Sequence, residues 1–267
     1  MRIKIFIITY RNNAVLNTTL RSLSASDVRR FDHEITVINN DRTSQVATDA
    51  DERGLNIDYW SNCTRPPFSR GHLARNWNES IVNGLVDLDR PDCDIVLCCQ
   101  NDILFKPNAF AELTSHMRGH SFITYGAGDA CCAITADAVR KSGLYDERFA
   151  NIAHQETDYF YRQFLYNRPG CSINDYHHGN VWNPLDRNIL IGTPTGYSRG
   201  EPSHVESLQF HHIAICTFRL KWGFDYGAIA MKEGAPVRQP LMPQFMLYPY
   251  FECKIADPAS KGYVKYA

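Results

Sequence analysis

The sequence predicts an α/β protein in which a sheet, parallel in its first half, is flanked by helices. Three observations predict it. Apolar, β-branched runs alternate with segments of helical period over the first hundred residues. Each run ends in a cluster of polar residues. The composition, 44% hydrophobic and 21% charged, is that of an ordinary folded domain.

The elements follow in order. Ile3 to Thr9 is nearly all apolar, as expected of a strand buried on both faces. Val15, Leu16, Leu20 and Leu23 then recur at helical spacing. Glu34 to Ile38 reads as a second strand, Leu55 to Tyr59 as a third, and Asp94 to Cys99 as a fourth. Between the last two, Leu73, Trp77, Ile81 and Leu85 fall in register on a helix over 71–88. Strand alternating with helix implies parallel βαβ units. Beyond residue 102 we expect a helix at 107–117, strands at 121–125 and 130–136, a helix at 137–142, a helix carrying Glu156 to Tyr166, a strand at 171–176 and a helix near 210–220. Residues 1–182 are expected to form one catalytic domain, with a nucleotide-binding half at 1–105 and an acceptor half at 106–182. Residues 183–267 are read as an extension packed on it.

Composition narrows the function. With 267 residues the chain is long enough for a substantial core. Its formal net charge of -1 leaves no electrostatic footprint for nucleic acid. The nine cysteines include the adjacent pairs Cys98-Cys99 and Cys131-Cys132 in apolar runs, which read as buried thiols of a reducing compartment. The opening apolar run breaks at Thr9, too soon for a signal segment, and no window approaches the roughly 20 apolar residues that span a bilayer. A soluble, cytoplasmic protein with at most peripheral membrane contact is expected.

In open α/β sheets, ligands bind beyond the carboxyl ends of the strands. The polar clusters Tyr10–Asn13, Asn39–Ser44 and Gln100–Asp102 all lie there. A carboxylate so placed, Asp102, either holds a hard divalent cation against a diphosphate or closes a turn. In His154-Gln-Glu-Thr-Asp-Tyr-Phe-Tyr-Arg162, Asp158 and Arg162 are an i,i+4 pair. That leaves Glu156 to accept a proton from an attacking hydroxyl, or to serve as an acidic first turn. His177-His178 ends a strand and is either a ligand pair or a structural pair. Arg75 can offer charge-assisted hydrogen bonds to a diphosphate. Gly126-Ala-Gly128-Asp129 is too short for a dinucleotide fingerprint and suits a close approach to an acceptor sugar, or a turn.

Taken in order, these segments resemble inverting glycosyltransferases of the α/β GT-A fold, a Rossmann-like mixed sheet flanked by helices, specifically glycosyltransferase family 2, over residues 1–182. The resemblance is carried by Ile7-Ile-Thr-Tyr-Arg-Asn, Val37-Ile-Asn-Asn-Asp-Arg, Gly71-His-Leu-Ala-Arg-Asn76, Val96-Leu-Cys-Cys-Gln-Asn-Asp102, Gly143-Leu-Tyr-Asp-Glu-Arg-Phe and Gln155-Glu-Thr-Asp-Tyr-Phe-Tyr-Arg162. His177-His-Gly and Lys221-Trp-Gly223 add to it. Asn39 stands where the family carries a base-contacting aspartate, Gln100 at the first position of the D-x-D motif, and Gln155 at a glutamate.

The resemblance implies transfer of a sugar, from a UDP-sugar by prevalence, to a hydroxyl of a glycan or lipid-linked saccharide. It implies donor contacts from Thr9, Tyr10, Arg11, Asn39, Asp41, Arg75 and Asn101. Asp102, with His177 or His178, would hold Mn2+ or Mg2+. The catalytic acids would be Glu156 as base with Asp158 beside it, and Asp129, Tyr145 and Trp182 would meet the acceptor. A retaining transferase on the same fold stays open, as does a non-catalytic nucleotide- or sugar-binding domain. A sugar nucleotidyltransferase needs a glycine-rich first loop, and Thr9–Asn13 has no glycine.

Overall fold

The computed structural model describes residues 1–41, 45–49, 53–61, 73–126, 128–149, 154–167, 169–173, 190–192 and 211–223. At its centre, β1 (Arg2–Thr9) lies between β2 (Asp32–Asn39) and β4 (Ile95–Gln100), all parallel. β3 (Ile57–Ser61) pairs parallel with β2 at one edge. β7 (Cys131–Ile134) runs antiparallel to β4 and to β6 (Phe122–Tyr125), which pairs parallel with β8 (Cys171–Ser172). The order is β3-β2-β1-β4-β7-β6-β8, a seven-stranded mixed sheet. A second pairing, β5 (Leu104–Phe105) with β9 (Leu190–Gly192), was not anticipated by the sequence.

The parallel strands form where they do because both of their faces are buried. Along β1, Ile3, Ile5 and Ile7 point into one core and Phe6 and Ile8 into the other, the period-2 alternation of a strand between two helical layers. The first layer is α1 (Asn13–Ala25), through Leu16, Leu20 and Leu23, with α3 (Ala109–His116), through Phe110 and Leu113. The second contains α2 (Leu73–Leu85), α4 (Ala136–Ser142), α5 (Gln155–Tyr166) and α6 (His211–Trp222). Gly84 lets α2 lie close on β4, since a Cβ there would meet Val96 Cγ2 at 2.5 Å. The helix from 155 is polar on nearly every face, yet Gln155 through Gln163 are all buried.

That burial is sustained by a group of charges. Arg162 is bonded to Asp158 at 3.0 Å, and the Lys221 ammonium lies 2.6 Å from Asp158 and 2.7 Å from Asp146. Trp222 Nε1 donates to Asp158 Oδ1 at 2.9 Å, and Arg148 closes on Asp146 at 2.6 Å. Lys221, Asp146 and Asp158 are wholly buried. Such groups persist in the interior only when paired and hydrogen-bonded. Burial would raise the Asp146 carboxyl, but Lys221 and Arg148 outweigh it and hold the group well below the usual carboxylate range. Burial lowers the Lys221 ammonium from its ordinary value against the pull of Asp158 and Asp146.

Two outcomes follow for stability. Lys221→Met leaves two carboxylates without their shared cation and should cost about 3–5 kcal/mol in urea unfolding. Asp146 binds fewer protons folded than unfolded, so its contribution is in place above about pH 4 and is lost as pH falls further. Acid-titrated unfolding midpoints of wild type and Lys221→Met should therefore converge.

Candidate active site

The register of β1, β2 and β4 brings their carboxyl ends level: Thr9 lies opposite Asn39, and Ile8 opposite Gln100. The candidate donor residues gather there. Asn101 Nδ2 donates to Thr9 Oγ1 at 3.0 Å, and Asn40 N donates to Thr9 O at 2.9 Å. Asn39 folds the chain back on itself, its Nδ2 donating to Asp41 O and its Oδ1 accepting from Asp41 N, both at 2.9 Å. Arg11 Nε reaches Asp41 Oδ2 at 2.9 Å, with the guanidinium 4.9 Å from the centre of the Tyr10 ring. Arg11 has φ 54°, a left-handed conformation that costs an L-residue about 1–2 kcal/mol. Strain of this kind persists where surrounding contacts over-determine the loop, and functional loops are where it collects.

Thr9, Tyr10, Arg11, Asn39, Asp41 and Asn101 thus form one polar patch. Arg75 does not join it through any contact among the described residues: it is half exposed, 3.6 Å from Glu79 and 4.0 Å from Glu147. Asn40 belongs to the patch and carried no sequence signal beyond its neighbours. It is fully buried, and neither polar atom of its amide has a hydrogen-bond partner among the described residues. Asn76 on α2 is in the same state. Buried amides are nearly always satisfied, so an unsatisfied one calls for a reason.

Asp102 lies in the turn after β4. Buried Thr19 of α1 supports that turn from beneath, its hydroxyl donating to the carbonyls of Asn101 at 2.5 Å and Ile103 at 2.9 Å. Gln100 gives its Nε2 to Asp129 Oδ1 at 3.1 Å, and so keeps its amide oxygen. Among the described residues no group of three or more His, Cys, Asp or Glu side chains gathers to hold a metal. His177, His178 and Trp182 lie outside the described residues.

Glu156 opens the first turn of α5 and is 6% exposed. Gly128 packs directly on it: at φ +56°, a Cβ on Gly128 would stand 3.0 Å from Glu156 Oε1. Gln155 Nε2 lies 3.4 Å from Glu156 Oε2 and 3.5 Å from Asp129 Oδ2. Trp77 Nε1 donates to that same oxygen at 2.7 Å. The end of β4 and the start of α5 therefore meet at Asp129, and the residue two places before Asp102 is linked to the one beside Glu156.

Three sequence-derived roles are relocated by this geometry. Asp129, expected on the acceptor wall, is 2% exposed with both oxygens engaged inside the protein. Burial raises its carboxyl above the usual range, against the hydrogen bonds of Trp77, Gln155 and Gln100. Tyr145, expected to stack on a sugar, is fully buried with its ring 3.9 Å from that of Tyr159. Asp158, expected beside the base, lies in the buried ion cluster. Each of these side chains is bonded or packed inside the protein.

No family model matches the sequence, and no curated protein matches it. Among solved structures, residues 1–349 of S. aureus TarS align with a TM-score of 0.50 at 11% identity, covering 80% of this chain and 65% of that one. TarS in complex with UDP-GlcNAc gives 0.45 at 12%, covering 66% and 56%. The mannosyltransferase PcManGT of Pyrobaculum calidifontis, in complex with GDP-Man and Mn2+, gives 0.42 at 12%, covering 65% and 55%. The chain spans less than two thirds of these solved chains. The first match shows a shared fold: this chain has the GT-A fold, a mixed sheet flanked by helices. No helix among the described residues is long and apolar enough to cross a membrane.

The close seating of Gly128 on Glu156 gives a direct test. Gly128→Ala combines a positive φ with a crowded Cβ and should lower stability by about 1 kcal/mol or more in chemical denaturation.

Proposed function

We propose that the chain is a glycosyltransferase that moves a sugar from a nucleotide-diphosphate donor, a UDP-sugar first among them, to an acceptor hydroxyl with inversion. The acceptor is a glycan or lipid-linked saccharide. The observation that carries the reading is the convergence at one end of the sheet. The polar patch of Thr9, Arg11, Asn39 and Asp41 and the turn bearing Asp102 follow the carboxyl ends of parallel strands, and the end of α5 bearing Glu156 is tied to that end of β4 through Gln155, Asp129 and Gln100. The unsatisfied amide of Asn40 within the patch supports a polar ligand there. The shared fold with TarS, a protein solved with UDP and with UDP-GlcNAc, is consistent with the same class of donor.

In this mechanism Thr9, Tyr10, Arg11, Asn39, Asp41 and Asn101 orient the nucleotide, and Arg75 contributes if the bound donor draws it from Glu79. Asp102 is a hard donor of the kind Mg2+ and Mn2+ take together with phosphate, and a bound ion would supply charge stabilisation to the departing diphosphate. His177 or His178 joins that donor set on the sequence resemblance alone. Glu156 accepts the proton of the acceptor hydroxyl as its oxygen attacks the anomeric carbon. The bond from that carbon to the diphosphate breaks with its electron pair leaving on the phosphate oxygen. Rate comes from positioning and charge, with no covalent enzyme intermediate. Residues 1–105 hold the donor and 106–182 face the acceptor. α6 lies against α5, with Lys221 and Trp222 both reaching Asp158.

Glu156→Gln should abolish transfer in a nucleotide-sugar panel with Mn2+, by at least about 100-fold, while leaving donor affinity near wild type. Near-normal turnover would refute the base assignment. Asp102→Ala should weaken nucleoside-diphosphate binding and remove its metal dependence in calorimetry; unchanged metal activation would place the ion elsewhere.

A further inference from the structure

Three elements, a strand of the sheet and two helices of the second core layer, converge on one side chain that no step of the mechanism uses. Asp129 Oδ1 accepts from Gln100 at the end of β4, and Oδ2 accepts from Trp77 on α2 and from Gln155 at the start of α5. Its own turn is tied to β4 through Gln100 N donating to Ala130 O at 2.8 Å. Two of the three side-chain donors stand beside working groups: Gln100 two residues before Asp102, and Gln155 immediately before Glu156. Gly128, its neighbour, sits against the Glu156 carboxylate.

We propose that Asp129 is the positioning residue of this site, holding the Asp102 turn and the Glu156 end of α5 at a fixed separation; the inference rests on the transfer reaction proposed above. Only a carboxylate suits the position. Three N–H groups point at it, and an ionised carboxyl accepts at about four lone-pair sites without presenting a hydrogen to any donor. Bonds to an ionised acceptor are also roughly twice as strong as neutral ones. Asparagine is nearly isosteric, but its NH2 must face one of the donors. A flip of the Gln100 or Gln155 amide relieves that clash and loosens the link the flipped residue provides. The consequence falls on chemistry more than on donor binding, because the donor patch lies on β1 and β2 apart from Asn101, and the turn bearing Asn101 and Asp102 keeps its own support from the Thr19 hydroxyl.

The test is a double-mutant cycle on kcat with nucleoside-diphosphate affinity measured alongside. Asp129→Asn and Gln155→Met should each lower kcat by about 10- to 100-fold, the range that misplacement by an ångström produces, with Kd within about threefold of wild type. The double variant should be no worse than the worse single one, because both cut the same link. Losses that multiply would overturn the proposal. Should Asp129→Asn not fold, the Gln100→Met and Gln155→Met pair answers the same question with the carboxylate in place, and multiplied losses there overturn it equally. A second readout needs no turnover: the indole N–H resonance of Trp77, assigned with Trp77→Phe, should move in both Gln100→Met and Gln155→Met. If it stays fixed while wild type transfers sugar, the tie through Asp129 is wrong and the reaction stands. If it moves while wild type transfers nothing, the tie is supported and the proposed reaction fails.

Discussion

The constraint on which the rest depends is the register of three parallel strands. β1, β2 and β4 are each buried on both faces, so each contributes residues to two cores at once. A slip of one residue would exchange the two sets and set Ile against α2 where Phe6 and Ile8 now lie. Because the register is fixed in this way, the strands end together. Thr9, Asn39 and Gln100 stand side by side, and the polar residues that follow have nowhere to go except into a common mouth. The bond from Asn101 to Thr9 and the ion pair of Arg11 with Asp41 are consequences of that alignment.

The second half of the chain solves a different problem, that of bringing an acid to the same mouth from a helix. Direction is the means. β7 is antiparallel to β4, so it begins where β4 ends, and residues 128–130 before it are delivered to the level of Gln100. α5 then lies with its amino-terminal turn at that turn, where the helix dipole favours carboxylates such as Glu156. Holding a helix this polar inside the protein needs compensating charge, and α6 supplies it with Lys221. Desolvating that ammonium is costly. The cost is offset because one cation satisfies both Asp146 and Asp158, joining the turn before α5, α5 itself and α6.

Elements whose pattern is local were legible in the sequence. β1, β2 and β4 appear as continuous apolar runs because both faces are buried, and α2 appears at its helical period. The Asp158–Arg162 pair was readable because i,i+4 spacing on a helix fixes it. What could not be read is what lies far apart along the chain. β5 and β9 are two and three residues long and some eighty positions apart, too short to show a period. An apolar run such as Cys131–Ile134 carries no mark of its direction, so the antiparallel placement of β7 was invisible. Lys221 reads as a surface lysine until its partners 63 and 75 positions earlier are known. Asp129 was misplaced for the same reason: an acid after Gly-x-Gly looks exposed until Trp77, Gln100 and Gln155 are seen around it.

The two glutamines that depart from the resembled pattern then acquire a physical meaning. Carboxylates at 100 and 155 would each face Asp129 across about a hydrogen-bond length, with Glu156 adjacent, and buried like charges at such distances cannot all remain ionised. A carboxylate also cannot donate, so Asp129 would lose two of its three side-chain donors and be left as a buried, poorly solvated anion. Glutamine keeps the chain length of an acid, gives its N–H to Asp129, and retains an oxygen on its other arm. Gln100 and Gln155 are therefore the residues that a buried carboxylate at 129 demands, and the negative charge absent from those two positions is present a few ångströms away, between them.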